Sequence, residues 1–287
     1  TDWKALPEKA AIYMVHKALE SGVNFFDTAP NYGNGTSEIR LGKALKGCDR
    51  SQIVVNTKFG HTESGGVNYN SDYIRASLEG SLKRLQLDYV DSLIFHNPPY
   101  EYLDGHQNDH YEILAKLKGE GKIKAYGASL DTYEEMKLFM ETTNGEVIEA
   151  FFNILHQYNE RDFYTYIKKN VCIIVKIKID SGWLSLKYYE ESLFNDIRKR
   201  WSRDDIKTRA ALIKKLRSMI DQEQDLAQTA LSFCLAYDAV ATVIPGNATI
   251  AQLERNIEST VKPISNELLR KLEDFYQQEV KELRLPW

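Results

Sequence analysis

The chain has 287 residues, of which 43% are hydrophobic and 27% are charged, and its formal net charge is −4. These values are ordinary for a globular protein and allow one large α/β barrel or two smaller domains. The slight acidity, without a long run of Lys or Arg, argues against binding to nucleic acid or to an anionic membrane. No apolar stretch could span a bilayer, no N-terminal signal is recognisable, and the three cysteines lack metal-ligand spacing. We therefore expect a cytoplasmic protein without a metal site or disulfides.

Helices and strands alternate along the whole chain. Helices are predicted where apolar residues recur every three or four positions, and strands where short apolar runs stop at glycine, proline or polar residues. A loop rich in glycine and asparagine covers 61–70, and a polar, charge-rich insertion is predicted at 185–215, in which 198–215 reads as a solvated helix face. The predicted order is helix 8–20, strand 24–29, helix 37–46, strand 53–59, a long helix from 71, strand 91–96, helix 109–118, strand 123–129, helix 132–141, strand 146–153, helix 157–169, strand 171–179, helix 221–236, strand 241–245, helix 249–259 and helix 265–280.

This alternation indicates a parallel sheet covered by helices. The segment 171–175 is apolar on both faces, as expected of a covered parallel strand. A doubly wound sheet and a closed barrel both fit. No strand is followed by a G-x-G-x-x-G fingerprint or a P-loop, and polar residues end strands all along the chain. We therefore predict a (β/α)8 TIM barrel whose site lies at the carboxyl ends of its strands.

The predicted strands number one fewer than a closed barrel needs. We expect a single barrel domain over residues 1–287, with an extra C-terminal helix, but only seven strands are recognisable. The sequence starts at what would be the first barrel helix. The N-terminal hairpin and the first barrel strand are therefore expected to be lacking from this sequence, either by truncation or because they precede Thr1 in a longer chain. An open barrel of seven strands would leave two edges unpaired.

Four polar side chains follow the first three predicted strands. Asp27 lies near the end of the first strand and Tyr32 in the loop after it, Lys58 lies near the end of the second, and His96 ends the third. A phenol has a pKa of about 10, and a nearby ammonium stabilises its anion. Tyr32 is therefore a candidate general acid, with Lys58 held by Asp27 and with His96 placed to orient a carbonyl oxygen. Each residue alone has a structural reading, as turn cap, loop aromatic, solvated lysine or core histidine, but their joint placement favours chemistry.

The segment 22–33 resembles the signature of the aldo-keto reductase superfamily. By this resemblance, Asp27, Tyr32, Lys58 and His96 occupy the four catalytic positions, with Tyr32 as the proton donor and acceptor. Such proteins transfer a hydride between a nicotinamide cofactor and a small aldehyde, ketone or sugar. Further similar segments follow in the same order over nearly the whole chain: 37–45, 57–60, 77–85, 121–129, 180–184, 244–246 and 252–256.

The resemblance also implies a cofactor site without a Rossmann domain, and it favours NADP(H) over NAD(H). Ser129 and Glu149 fall where the family grips the nicotinamide carboxamide, and the turn 179–187 falls where it holds the pyrophosphate. The residues implied to bind the cofactor are Ser129, Glu149, Lys176, Ile179, Ser181, Gly182, Leu184, Lys187, Gly246, Gln252 and Asn256.

Several of these positions depart from the family pattern. Glu149 stands where glutamine is common, and a carboxylate accepts hydrogen bonds but donates none. Lys176 stands near the position of an aromatic ring that stacks on the nicotinamide. The loop 246–249 lacks the basic residue that often holds a 2′-phosphate, although Arg255 could replace it.

Two functions remain open from the sequence. The first is an oxidoreductase acting on a small carbonyl or alcohol, which the intact set of four residues favours. The second is a sensor or regulatory protein that binds the cofactor on the same barrel, which the altered cofactor positions favour. The sequence does not identify the substrate or the oligomeric state. The other histidines are read as loop or surface residues: His61, His106, His110 and His156.

Overall fold

The structure is a computed structural model that describes residues 6–157, 170–221, 225–283 and 285–286. Helices and strands alternate through these residues. The seven strands are β1 (Phe25–Asp27), β2 (Val54–Phe59), β3 (Val90–Phe95), β4 (Ile123–Leu130), β5 (Val147–Phe151), β6 (Cys172–Lys176) and β7 (Val240–Val243). The α-helices are α1 (Glu8–Glu20), α2 (Thr36–Leu45), α3 (Tyr73–Leu85), α4 (His110–Gly119), α5 (Tyr133–Thr142), α6 (Arg203–Met219), α7 (Leu226–Leu235), α8 (Ile250–Val261) and α9 (Asn266–Phe275).

The strands form one parallel sheet in chain order, β1 to β7. The sheet is curled, helices surround it, and α1 contacts both α2 and α8. Helix α1, which precedes β1, therefore lies against α8, which follows β7. The predicted fold is confirmed as a (β/α)8 barrel that lacks one strand. Among the described residues, neither β1 nor β7 has a strand paired to its outer edge.

Apolar side chains on both faces of the strands hold the sheet between the helices and the barrel interior. All six residues of β3 are buried, as expected of a covered parallel strand, although two of them, Asp91 and Ser92, are polar. Inside the barrel, Ile94, Val147 and Ile174 pack together. On the outside, α3 buries the face that carries Leu78 and Leu82, since residues four apart lie on one side of a helix.

Two predictions about β6 and the segment after it need correction. The strand predicted at 171–179 ends at Lys176, because Ile177 adopts a left-handed backbone with φ 57° and turns the chain. The charged stretch 198–215 was expected to be a solvated helix face; α6 is a helix there, but it buries Ile206, Leu212 and Leu216. Charges dominate the composition of α6, yet its apolar residues recur at helical spacing and form a face that packs on the core.

The C-terminal elements follow the prediction closely. Helix α9 begins after Ser265, whose hydroxyl accepts a hydrogen bond from the amide of Leu268, and it continues as a π-helical turn over Tyr276–Val280. Helix α7 begins later than predicted, after Asp225, whose carboxylate caps its first turn. The helix predicted at 157–169 lies almost wholly outside the described residues.

Candidate active site

A buried ion pair forms the centre of the site. The Lys58 ammonium, on β2, lies 2.6 and 2.7 Å from the two carboxylate oxygens of Asp27, at the end of β1. It also donates to the carbonyl of Thr28 at 3.1 Å. Asn56 donates to Asp27 at 2.7 Å, which fixes the carboxylate from a second direction. Parallel pairing of β1 with β2 places these groups at the same end of the sheet, as the sequence predicted.

Tyr32 lies over this ion pair. Its ring centroid is 5.0 Å from the Lys58 ammonium, and its ring meets that of His96 edge to face at 5.8 Å between centroids. Burial raises the pKa of Tyr32 well above its ordinary value, and the positive charge of Lys58 opposes that rise. The sequence predicted only the lowering effect of Lys58. The phenol therefore carries its proton at neutral pH, which is the state of a proton donor.

His96 faces the same space from the end of β3. Its ring stacks on that of His61 with 4.3 Å between centroids and 22° between planes. Burial lowers the pKa of His96 well below its ordinary value, and the charges of Lys58, His61 and Lys176 lower it further. The imidazole is therefore neutral at neutral pH. Its buried Nδ1 has no hydrogen-bond partner, which is unusual for a buried polar atom.

His61 was expected to be an ordinary loop residue, and the structure places it in the site instead. Its Nε2 lies 3.0 Å from the hydroxyl of Tyr69, and its Nδ1 lies 3.5 Å from the amide nitrogen of Asn31. It therefore links the loop that carries Tyr32 to the loop after β2. The position three residues after Lys58 was the available signal, because Gly60, with φ 104°, turns the chain back over the strand ends.

His110 was also expected to be a loop or surface residue, and this prediction was wrong. It is buried at the start of α4. Its ring nitrogens lie 2.8 Å from the side-chain oxygen of Asn108 and 2.6 Å from the carbonyl of Tyr69. Both of these oxygens are acceptors, and together they fix the position of the buried ring. Its role is to support the loop that holds Tyr69.

Glu149, on β5, reaches the ion pair from the side opposite β1. It is 3% exposed, and its Oε2 lies 3.3 Å from the Lys58 ammonium but takes part in no hydrogen bond. Burial raises the pKa of Glu149, an effect that the charge of Lys58 opposes. Two carboxyl groups therefore flank one ammonium.

Lys176, at the end of β6, is tied to neighbouring strand ends. Its ammonium donates to Asn97 at 2.8 Å and to Ser129 at 2.7 Å, and it forms an ion pair with Asp131 at 2.7 Å. Ser129 donates in turn to the side-chain oxygen of Asn97 at 2.7 Å. Asn97 and Asp131 were not recognised from the sequence. Lys176 thus places a paired positive charge where the resemblance led us to expect a flat ring.

The turn after β6 contains most of the other predicted cofactor residues. Ile179 precedes a 3-10 segment, Asp180–Ser185, in which Ser181 and Gly182 have φ values of 52° and 104°. The side chain of Leu184 is fully buried in the core, so only its backbone could meet a ligand. Lys187 is exposed, with its ammonium 5.7 Å from the ring of Tyr188.

The remaining predicted residues lie after β7. Gly246 is exposed, and a Cβ added to it would meet nothing within 4 Å. Gln252 accepts from the amide of Ala248 at 2.8 Å, and Asn256 donates to Asn247 at 2.7 Å. These two α8 side chains shape the loop after β7. Lys178, which donates to the carbonyl of Ile244, joins this loop to the turn after β6.

The structure thus brings Asp27, Tyr32, Lys58, His96 and Glu149 into one cluster, with Ser129 and Lys176 at neighbouring strand ends. Within the described ranges, no three histidine, cysteine, aspartate or glutamate side chains are grouped so that they could hold a metal ion. In the same ranges, no helix is both long enough and apolar enough to cross a membrane.

A parallel barrel with a carboxylate, an ammonium, a phenol and an imidazole at its strand ends is the arrangement of one class of oxidoreductases. The chain belongs to the aldo/keto reductase family, whose model matches residues 1–277. It is 28% identical to L-galactose dehydrogenase of Arabidopsis thaliana over 262 residues, which are 89% of this chain and 79% of that protein. It is 29% identical to the NADH-specific methylglyoxal reductase of Escherichia coli over 194 residues, 63% of this chain and 60% of that protein.

A solved structure supports the same family. The holo form of aldo-keto reductase AKR11C1 from Bacillus halodurans superimposes with a TM-score of 0.80 at 29% sequence identity, over 94% of this chain and 88% of that one. The family and the names of these relatives support an oxidoreductase that acts on small molecules.

Proposed function

We propose that this protein reduces the carbonyl group of a small aldehyde, ketone or sugar with a nicotinamide cofactor, and that Tyr32 is the general acid. The observation that carries the proposal is the buried Lys58–Asp27 ion pair beneath the Tyr32 ring. Burying an ion pair is costly unless geometry and further hydrogen bonds compensate. Such a pair beside a protonated phenol and a neutral imidazole fits proton transfer to a developing alkoxide.

The residues at the strand ends fit a nicotinamide group. The unbonded Oε2 of Glu149 can accept from an amide NH2, and the Ser129 hydroxyl lies beside it on the adjacent, paired strand. The turn 179–187 and the loop 246–256 would hold the rest of the cofactor. When bound, the cofactor supplies a hydride to the carbonyl carbon or accepts one from an alcohol.

Each polar residue of the cluster then has one role. His96 binds the substrate oxygen and holds it beside Tyr32. The Tyr32 O–H bond breaks and a new O–H bond forms on the substrate, which leaves a phenolate. Lys58 stabilises that phenolate, and Asp27 keeps Lys58 charged and in place. The reverse sequence oxidises an alcohol, with the Tyr32 phenolate as the base.

We expect NADP(H) to be the preferred cofactor, as the resemblance implies. Arg255 is the basic side chain near the loop after β7. It is more than half exposed, and its guanidinium lies 3.6 Å from the carboxylate of Asp225. A 2′-phosphate would compete with Asp225 for this arginine. The E. coli relative named NADH-specific makes NAD(H) the alternative.

Titration with NADPH and NADH, followed by protein fluorescence, tests cofactor binding first. We expect binding of at least one, with NADPH the tighter, and we expect Arg255→Gln to weaken NADPH more than NADH. If neither cofactor binds at millimolar concentration, the proposal is wrong. Tighter binding of NADH would overturn only the cofactor preference.

The variant Tyr32→Phe tests the general acid. Removing a positioned proton donor costs about 10²- to 10⁴-fold in rate, so turnover of a small aldehyde should fall by that factor while cofactor affinity changes little. Tyr111→Phe is the matched control, because the Tyr111 hydroxyl is buried in the core and has no hydrogen-bond partner. Full activity of Tyr32→Phe would refute its role. Tight binding without turnover of any carbonyl would favour the sensor.

A further inference from the structure

The Lys58 ammonium lies closer to three other acceptor atoms than to Glu149. It donates to both oxygens of Asp27 at 2.6 and 2.7 Å and to the carbonyl of Thr28 at 3.1 Å. Glu149 forms a longer ion pair with Lys58, at 3.3 Å through its Oε2, and this oxygen is buried without a hydrogen bond of normal geometry. An ionised carboxylate buried in this way would lose its hydration and gain only a share of an ammonium already paired with Asp27. A proton on the other carboxyl oxygen would remove the charge and most of that cost, and would leave Oε2 as an acceptor.

The charges around Glu149 do not compensate for a second carboxylate. Lys58 is already neutralised by Asp27 at 2.6 Å, and Lys176 by Asp131 at 2.7 Å. Burial lowers the pKa of Lys178 to about 8. The titratable groups that face Glu149 are Lys58 on β2, Asp27 on β1, Lys176 on β6, Tyr32 after β1 and Lys178 after β6.

We propose that Glu149 is a neutral carboxylic acid in the working enzyme, and that its ionisation switches off proton donation by Tyr32. Glu149 is thus a positioning residue for the Tyr32 proton, and this part of the inference rests on the proposed function. Burial, which raises the pKa of Glu149, and the negative charge of Asp27 act in the same direction. A neutral carboxyl also regains a donor O–H, which a carboxylate lacks.

The direction of the effect on Tyr32 follows from the charges. When Tyr32 gives up its proton, a negative charge forms beside Lys58. A neutral Glu149 leaves the ion pair balanced, whereas an ionised Glu149 adds a second negative charge near the phenolate and raises the pKa of Tyr32. Carbonyl reduction should therefore fall as the pH rises through the titration of Glu149. Tyr32 itself titrates far higher, so its own ionisation does not cause this fall.

Infrared difference spectroscopy tests the protonation directly and needs no turnover. Spectra of the wild-type protein minus those of Glu149→Gln should show the C=O stretch of a protonated carboxyl, which disappears as the pH is raised. Glu146→Gln, just before the same strand, is the matched control, because Glu146 is half-exposed and paired with Lys118; its difference spectrum should lack this band. If the band is absent at every pH at which the protein is folded, the inference is overturned.

The pH profile of carbonyl reduction tests the link to Tyr32. With each profile normalised to its own low-pH value, the wild-type rate should fall about tenfold per pH unit above the titration point. The Glu149→Gln profile should stay level through that range. An unchanged alkaline fall in Glu149→Gln would overturn the link. If the infrared band is present but neither protein reduces any carbonyl, the proposed function fails and only the protonation of Glu149 stands.

Discussion

At the scale of single residues, the chemistry of the site depends on Lys58. This side chain is fully buried, and its charge faces two carboxyl groups and a phenol. Burial disfavours the charged amine, but the negative charge of Asp27 opposes this effect, and the pKa of Lys58 lies above its ordinary value. Lys58 is therefore charged throughout the physiological range, and we expect both the stability and the activity of the protein to depend on it.

The variant Lys58→Met should lower both the stability and the activity of the protein. It leaves Asp27 buried without its cation, and breaking a buried ion pair costs about 3–5 kcal/mol. We expect that loss in the free energy of unfolding measured with urea, together with a loss of turnover. Lys43→Met is the control, since the Lys43–Glu8 pair is exposed and such pairs contribute at most about 1 kcal/mol. Equal stability of both variants would contradict the role of the buried pair.

The sequence predicted which polar side chains lie together at the strand ends better than it predicted their surroundings. Asp27, Lys58 and His96 were recognisable because polar residues ending apolar strands stand out in a linear pattern. His61 was not, because its position depends on the left-handed turn at Gly60. The raised pKa of Tyr32 could not be foreseen either, since desolvation depends on packing from several elements.

At the scale of helices and strands, close packing places α2 against the end of α3. A Cβ added to Gly42, in α2, would lie 2.2 Å from the carbonyl oxygen of Leu85. That oxygen belongs to the backbone and cannot move alone. Only glycine allows the two helices to approach so closely. Helix α2 is followed by β2, which carries Lys58, and α3 is followed by β3, which ends just before His96.

Gly42→Ala should therefore destabilise the protein although alanine favours helices. We expect a loss of about 1–3 kcal/mol, the range for overpacking a core, measured by thermal or urea unfolding. Gly119→Ala is the matched control, because Gly119 ends α4 and a Cβ there would meet nothing within 4 Å. It should be neutral or stabilising by up to about 1 kcal/mol. A stabilised Gly42→Ala variant would show that the helices can separate.

Element types were predictable where periodicity was strong and became uncertain where a charge was buried. The burial of α6 was not foreseen in a charged segment, because Arg209, only 1% exposed, contributes to its buried face. Its guanidinium reaches Asp180 at 3.3 Å and packs 4.4 Å from the centre of the Trp201 ring. Sequence patterns count arginine as solvent-facing, and only the fold supplies the partners that allow it to be buried.

At the scale of the whole molecule, the strands of the sheet differ in how deeply they are buried. Every residue of β3 is buried, whereas the three residues of β1 are all half-buried and β7 is mostly exposed or half-buried. Among the described strands, β1 and β7 each pair on one side only. The middle of the sheet should therefore open only on global unfolding, and its edges should open locally.

Amide hydrogen exchange should reveal this difference. We expect slow exchange in β3 and β4, with protection close to the global free energy of unfolding, and exchange faster by at least tenfold in β1 and β7. The β2 amides that bond to β1, measured in the same protein, provide the internal reference for edge opening. Uniform protection across all seven strands would show that the edges are covered in solution.

Asp27 stands on one of these edge strands, so the acid chemistry depends on the least protected part of the sheet. When β1 frays, Lys58 loses its counter-ion and Tyr32 loses its support at the same time. The fraction of molecules able to catalyse the reaction should then follow the fraction with β1 docked, even while most of the molecule stays folded. The rate of turnover would thus report the local opening of β1. Any segment or small molecule that stabilises the docked β1 would act as an activator without contacting the substrate.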